Sequence, residues 1–443
     1  MKRDIVMRIM PNDLEAHWMP FTSNKHFKTT HTRMMTEGKG IVYKTYQGHE
    51  LIDAVSGLFC SPLGHARPEI ADAVHMQLKE MSYCPPFQHG HPSAFELARR
   101  ISQLLPGNLD YVFYGNSGSE AVETTLKIAL LYQRVKGEGQ RLRLVGREKG
   151  YHGVNFGGFS VGGMVKNREM YGLGIPGVVH MRHTNIAENK YARDEGVHGV
   201  ELAEDLQRLC DTYGGDTIAA CIVEPVGGSA GAYLPPKGYL KRLREICDEH
   251  GILLIFDEVI TGFGRTGNPF GANTYDVQPD MITMAKAMTN GAIPMSAVGV
   301  GEHIYKTIVD AAPEKGVDFF HGYTYSGHPA ACAAGLATLD IFEKENMFGR
   351  AKALSNPFLD RFFDLKDIPI ITNMRGVGLL AAIDLAVDGA PGTRGYQAVM
   401  DLYDKGVLVK VTGDTVMLSP AFICEDRDLD RIFETLRVVL SNY

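Results

Sequence analysis

Lys286 follows the apolar segment Met281-Ile-Thr-Met-Ala285, and Asp257 closes another, Ile252-Leu-Leu-Ile-Phe256, twenty-nine residues earlier. In an open α/β sheet, ligands bind outside the carboxyl ends of the strands, so both charges point into one crevice. A lysine in such a place is either paired or a nucleophile with a lowered pKa. A structural Asp–Lys ion pair accounts for these two residues as well as chemistry does. A third element, Gly115-Asn-Ser117-Gly118-Ser119-Glu120, is a turn of small residues leading into a helix. Free N–H groups at a helix N-terminus with two hydroxyls beside them make a phosphate cradle. The plainer reading of that turn is a serine cap on a glycine bend.

The elements that must position these residues alternate. Ile218-Ala-Ala-Cys-Ile-Val223 ends at Glu224-Pro225, and Ile252 to Phe256 ends at Asp257-Glu258. Both read as strands buried on two faces of a parallel sheet. Between them, Pro236 to His250 carries Tyr239, Leu240, Leu243 and Ile246 at helical spacing, which makes a βαβ unit. Ser119 to Tyr132 reads as a helix with Glu120 and Glu123 at its positive end. From Arg375 onward a separate α+β unit follows: the run Gly376 to Ile383, then a helix, then Gly406-Val-Leu-Val409. The expected fold class is α/β, a large domain with a mostly parallel sheet over residues 61–330 and a smaller α+β domain over 331–443. The N-terminal segment 1–60 is expected to belong with the smaller domain and a dimer interface.

The chain of 443 residues is long enough for one large core and a smaller companion. A hydrophobic fraction of 44% and a charged fraction of 22% are those of an ordinary water-facing globular protein. No apolar run reaches membrane-spanning length, and Asp4 and Arg8 interrupt the first ten residues before a secretory apolar region can form. A formal net charge of −7 without a basic stripe argues against nucleic acid as a partner. Seven cysteines, an odd number without a C-x-x-C pair, read as packed thiols in a reducing cytoplasm. No metal site is expected.

Three other motifs fail on context. Gly262-Phe-Gly264-Arg-Thr-Gly267 has the G-x-G-x-x-G spacing of a dinucleotide site, but loop residues follow where a helix should open. Gly227-Gly-Ser229-Ala-Gly231 has the spacing of a hydrolase nucleophile, yet it runs into Pro235-Pro236 instead of a helix. A serine hydrolase centred on Ser229 therefore stays a remote alternative. Asp257-Glu258 could close a nucleotide-binding strand, but no G-x-x-x-x-G-K-[ST] segment accompanies it.

A phosphate seat, a crevice lysine and a strand-end acid together suit pyridoxal 5′-phosphate, which needs a lysine for its aldehyde and a carboxylate for its pyridine nitrogen. Asp257-Glu-Val-Ile-Thr-Gly-Phe-Gly-Arg-Thr-Gly267 followed by Ala285-Lys286 resembles the signature of class III aminotransferases of fold type I. Tyr151-His152-Gly153, Glu224-Pro225 and Thr324-Tyr-Ser-Gly-His-Pro329 match the same family in the same order. Trp18-Met-Pro-Phe21 and Gly57-Leu-Phe-Cys60 look like the ω-amino acid:pyruvate and amine:pyruvate subgroup, β-alanine–pyruvate aminotransferases in particular.

The resemblance implies that Lys286 holds the cofactor as a Schiff base and moves the substrate proton. It implies that Asp257 keeps the pyridine nitrogen protonated, that Tyr151 stacks on one ring face and that Val259 packs on the other. It implies Ser117, Gly118 and Ser119 as phosphate ligands, His152 as a further cofactor contact and Thr324 as a contact to the neighbouring subunit's phosphate. The working unit is then a homodimer or a dimer of dimers. Phe21, Phe59, Phe87 and Tyr151 are expected to line the substrate pocket. Family members that use glutamate carry a glutamine where this chain has Ile260, and those of the 4-aminobutyrate type carry an acid where it has Ser229, which favours pyruvate as acceptor. An aminomutase or a decarboxylase on the same scaffold is the alternative within the family. The subgroup's carboxylate-binding arginine falls at Lys410 here, which keeps the charge and loses the two-point fork.

Overall fold

The computed structural model describes residues 14–30 and 33–443, so the basic stretch Met1 to Met10 lies outside the described residues. Among the described residues, fifteen strands form three sheets. The central one runs β4 (Tyr111–Gly115), β10 (Ser296–Val300), β9 (Met281–Met284), β8 (Leu253–Asp257), β7 (Ile218–Val223), β5 (Arg143–Arg147) and β6 (Val178–Met181) across its width. All neighbours from β9 to β6 pair in parallel, and β10 runs against both β4 and β9.

Every residue of β7, β8, β9 and β10 is buried, the result expected for continuous apolar strands covered by helices on both faces. The helix Tyr239–His250 packs Tyr239, Leu240, Leu243, Ile246 and Cys247 onto the sheet and stops at Gly251, whose φ of 66° only glycine adopts freely. It starts after Pro236, because Gly238 sits in the left-handed region (φ 82°) and marks the first turn. The run Gly376 to Ile383 is split in two. β11 (Ile371–Val377) ends and β12 (Leu380–Leu385) begins around Gly378, at φ 56°, where a Cβ would stand 2.4 Å from the Thr266 carbonyl carbon.

Segments distant in sequence meet in a second sheet. β1 (Met35–Lys39), β2 (Val42–Thr45) and β3 (Glu50–Asp53) form an antiparallel meander, and β3 pairs in parallel with β13 (Val407–Leu408). The third sheet orders β11, β12, β15 (Thr415–Leu418) and β14 (Lys410–Thr412). Long-range pairing of this kind carries no local signature, so it is a property of the tertiary structure. No helix among the described residues is long and apolar enough to cross a membrane.

Candidate active site

β8 delivers Asp257 at its carboxyl end, and β9 leads through Ala285 to Lys286. The adjacent parallel strands place both residues on one cavity, lined by Gly118, Ser119, Tyr151, His152, Gly153, Glu224, Asp257, Val259, Ile260 and Lys286. Lys286 lies in the left-handed region, φ 50°, a strained conformation of the kind found at functional sites. Its ammonium forms no hydrogen bond or ion pair among the described residues, so the plain Asp–Lys bridge allowed by the sequence is not what the structure builds. Desolvation by burial lowers the Lys286 pKa, against the opposing pull of Cys60, Asp257 and Glu224.

Asp257 is 5% exposed, and three hydrogen bonds hold its carboxylate, two on Oδ1 and one on Oδ2. The His152 Nδ1 lies 2.8 Å from Oδ2, the Thr283 hydroxyl donates to Oδ1 at 2.9 Å and the Val259 amide donates to Oδ1 at 3.2 Å. A carboxylate can only accept, so the imidazole donates through Nδ1. His152 Nε2 is buried and has no partner.

Across the cavity, Ser117 caps the helix Gly118–Val135 by accepting the Glu120 amide at 3.2 Å. The plain serine cap does not exclude an anion seat, because capping occupies one amide and leaves those of Gly118 and Ser119 without intrahelical partners. The Ser119 hydroxyl accepts the Val154 amide at 3.1 Å, and Gly153 fits beside it only because it has no Cβ. Gly118 faces Val259 closely enough that a Cβ would stand 3.0 Å from its methyl.

Glu224, given no role from the sequence beyond its motif, joins this site. It is 4% exposed and accepts the Tyr151 amide at 2.9 Å and the Gly228 amide at 2.8 Å. Burial raises its pKa against the pull of His152, and Asp257 adds to the rise. Burial also raises the Tyr151 hydroxyl, with Asp257 and Glu224 adding to it. The strand-end argument that singled out Asp257 after β8 applies equally to Glu224 after β7. Thr283 lies inside β9, three residues before Lys286, where the strand-end argument gives no signal.

The other sequence-derived residues are spread more widely. Phe59 is buried, with the Lys410 ammonium 5.9 Å from its ring centre, and Ile260 packs on Gly228. Phe21 is 82% exposed beside Val154 and Phe156. Phe87 is 57% exposed in a separate cleft with His89 and Phe95. Thr324 is exposed, and its carbonyl accepts the Tyr83 hydroxyl at 3.0 Å. None of these last three lines the cavity of its own chain. Among the described residues the Ser229 hydroxyl makes no hydrogen bond to a histidine; its carbonyl accepts the Thr412 hydroxyl at 2.9 Å. A larger cleft opens elsewhere, but the lysines lining it, Lys237, Lys241 and Lys352, are exposed.

The cavity's unfilled capacities are specific. It offers two free helix amides, a buried imidazole nitrogen without a partner and an unpaired lysine of lowered pKa, with Val259 packed on the glycine of the helix terminus. A flat, phosphorylated aldehyde with a basic ring nitrogen answers these features, so the residues fit pyridoxal phosphate.

Comparison with known proteins agrees. The model of the family described as aminotransferase class-III matches residues 23–440. An omega-aminotransferase of Caulobacter vibrioides is 49% identical over 432 residues, 97% of this chain and 98% of the relative. An omega-amino acid–pyruvate aminotransferase of Pseudomonas putida is 44% identical over 433 residues, 97% of this chain and 96% of the relative. Among solved structures, a thermostable (S)-enantioselective omega-transaminase from Thermomicrobium roseum superposes with a TM-score of 0.90 at 31% identity, covering 99% of this chain and 98% of that one. A family match over nearly the whole length, with the acid, lysine and helix terminus meeting in one cavity, makes this chain a member of the class III aminotransferases, of fold type I and dependent on pyridoxal phosphate.

Proposed function

We propose that the protein moves an amino group from an ω-amino acid of the β-alanine kind, or from a primary amine, to pyruvate, releasing alanine. The observation that carries the reading is the unpaired Lys286 facing the same cavity as Asp257. Relatives named for β-alanine, ω-amino acids and putrescine with pyruvate support the substrate class. Ile260, an apolar side chain beside Gly228, supports the choice of a small acceptor over a dicarboxylate.

When bound, pyridoxal phosphate supplies an electron sink for the carbon that carries the amino group. Lys286 would hold it, and Asp257 would face its ring nitrogen in an orientation fixed by His152 and Thr283. Tyr151 and Val259 would enclose its two faces, and Ser117, Gly118 and Ser119 would seat its phosphate. Once free, Lys286 Nζ takes the proton from the amine-bearing carbon of the donor and holds it for return, a task that suits a lysine whose pKa is lowered by burial. Phe59 and Lys410, which stand together outside the lining of that cavity, would form the substrate end of the pocket. Phe21, Phe87 and Thr324 would complete a neighbouring subunit's site in a homodimer or a dimer of dimers, a reading supported by the exposure of both aromatic side chains in their own chain. The division into 1–60, 61–330 and 331–443 is part of this proposal, as is a cytoplasmic location, supported by seven free cysteines.

Visible spectroscopy of the purified protein tests it. A cofactor band that bleaches with β-alanine and returns with pyruvate is expected. Bleaching that β-alanine causes and pyruvate fails to reverse would overturn the acceptor, and products of rearrangement or loss of carbon dioxide would move the reaction to an aminomutase or a decarboxylase.

A further inference from the structure

The stretch after β3 and the stretch after β9 are fastened to each other through Asn290. This residue closes the turn Lys286–Thr289 in the left-handed region, φ 52°, a conformation that asparagine tolerates better than most residues. Its side chain is buried and spends both ends on a segment far back in the chain. Oδ1 accepts the Leu63 amide at 3.0 Å, and Nδ2 donates to the Gly64 carbonyl at 2.8 Å. The Asn290 carbonyl accepts the Ser61 hydroxyl at 3.2 Å. Next to it, the Gly291 amide donates to the Lys286 carbonyl at 3.2 Å. A Cβ on Gly291 would lie 3.0 Å from Cys60 Cβ, so the two backbones run in close contact there.

The segment held in this way is strained. Ser56 and Phe59 have positive φ, 48° and 63°, and Gly57 between them stands at 69°. Residues with a Cβ keep such a conformation only where the surroundings over-determine it. On the near side, Asp53 accepts the amides of Val55 and Gly57, and the Ser56 hydroxyl donates to the Ser419 carbonyl at 2.8 Å. On the far side, the Phe422 amide donates to the Pro62 carbonyl at 2.7 Å, and Asn290 takes Ser61, Leu63 and Gly64. Between these two sets of restraints lies Phe59, whose ring centre is 5.9 Å from the Lys410 ammonium.

We propose that Asn290 is a positioning residue for donor selection: it holds the Phe59 turn against the Lys286 turn, so that the aromatic ring stands at a fixed distance from the reacting lysine. Asn290 is not among the residues that line the cavity, and it acts through Phe59. While the turn is held, a donor with a bulky substituent meets a ring that cannot yield. Once the far-side restraint is removed, the strained turn relaxes and the ring gives way. This role deepens the aminotransferase reading above and rests on it.

Asn290→Gly keeps the left-handed backbone without strain and deletes both side-chain hydrogen bonds. In the full-length holoenzyme with pyruvate as acceptor, kcat/KM for benzylamine is divided by kcat/KM for butylamine. That ratio does not depend on the fraction of active protein, so a merely structural defect leaves it unmoved. It is expected to rise about tenfold in the variant, the scale of two net hydrogen bonds. In a Phe59→Ala background the same substitution is expected to leave the ratio where it was, as for a residue that acts through another. Hydrogen exchange read by mass spectrometry reports on the clamp without turnover. Residues 59–64 are expected to exchange about tenfold faster in Asn290→Gly, with β7 unchanged. Ser61→Ala removes one bond from the opposite side and is expected to move both readouts the same way, by about threefold. If Asn290→Gly does not fold, Ser61→Ala decides in its place. An unmoved ratio, an equal rise with and without Phe59, or unchanged exchange over 59–64 would overturn the proposal. A wild type that turns over neither amine would remove the aminotransferase reading and this role with it, whereas turnover with an unmoved ratio removes the role alone.

Discussion

His152 Nδ1 stands 2.8 Å from Asp257 Oδ2, and the Thr283 hydroxyl takes the other oxygen at 2.9 Å. The carboxylate is thereby fixed in orientation and kept as an acceptor at the end of β8. Replacing the charge alone, in Asp257→Asn, is expected to slow single-turnover bleaching by β-alanine about 10²- to 10³-fold, the loss typical of a removed electrostatic partner at a reacting centre. His152→Gln removes one hydrogen bond to a charged group and is expected to cost about 1.5–3 kcal/mol, roughly 10- to 100-fold in the same rate. Equal rates for Asp257→Asn and the wild type would take Asp257 out of the chemistry.

Lys286 has no partner to lose, so Lys286→Ala is expected to fold with little change in its melting temperature. Borohydride treatment followed by mass spectrometry is expected to find the cofactor on the wild-type peptide containing Lys286 and nowhere on the variant. Label retained elsewhere in the variant would assign the Schiff base to another lysine.

Gly153 has φ 94°, and a Cβ there would lie 2.4 Å from the Ser119 hydroxyl and 2.7 Å from Ser119 Cα. Gly153→Ala is expected to destabilise the fold by about 1–3 kcal/mol through backbone strain. Because it forces the Tyr151 loop off the Gly118–Val135 helix, cofactor retention on dialysis is expected to fall further than stability does. Unchanged retention would mean that this contact does not shape the cofactor seat.

The burial of Lys410 carries a stability signature as well. Its pKa drops from the usual 10.5 to about 8, so between these values the unfolded chain binds more protons than the folded one, and stability rises with pH across that window. Lys410→Met lacks this penalty. In urea titrations of the cofactor-free protein, the variant is expected to exceed the wild type by up to about 3 kcal/mol at pH 7, with the gap closing toward pH 10. A gap independent of pH would show that the gain comes from packing instead of charge.

How much was legible beforehand differs by residue. Strands β7, β8 and β9 were readable because they are short apolar runs ending in turn signals, and their carboxyl ends nominate Asp257 and Lys286 with no further information. The Gly115 to Glu120 turn was readable for the same local reason. Backbone preference and side-chain period act over a few residues, so a single pass along the chain captures them.

What the sequence left open required distance. Lys286 paired with Asp257 and Lys286 free of partners are the same string of letters; the fold chooses by giving the carboxylate to His152 and Thr283. Glu224 becomes part of the site because its two oxygens tie Tyr151 to Gly228 across a gap of more than seventy residues. The parallel pairing of β3 with β13 brings the Phe59 turn to the β14 lysine, and that closure turns Lys410 from a surface charge into a half-buried one. Local patterns therefore determined which residues could do chemistry, while tertiary packing decided their partners, because a hydrogen bond or a desolvated charge depends on neighbours that lie far away along the chain.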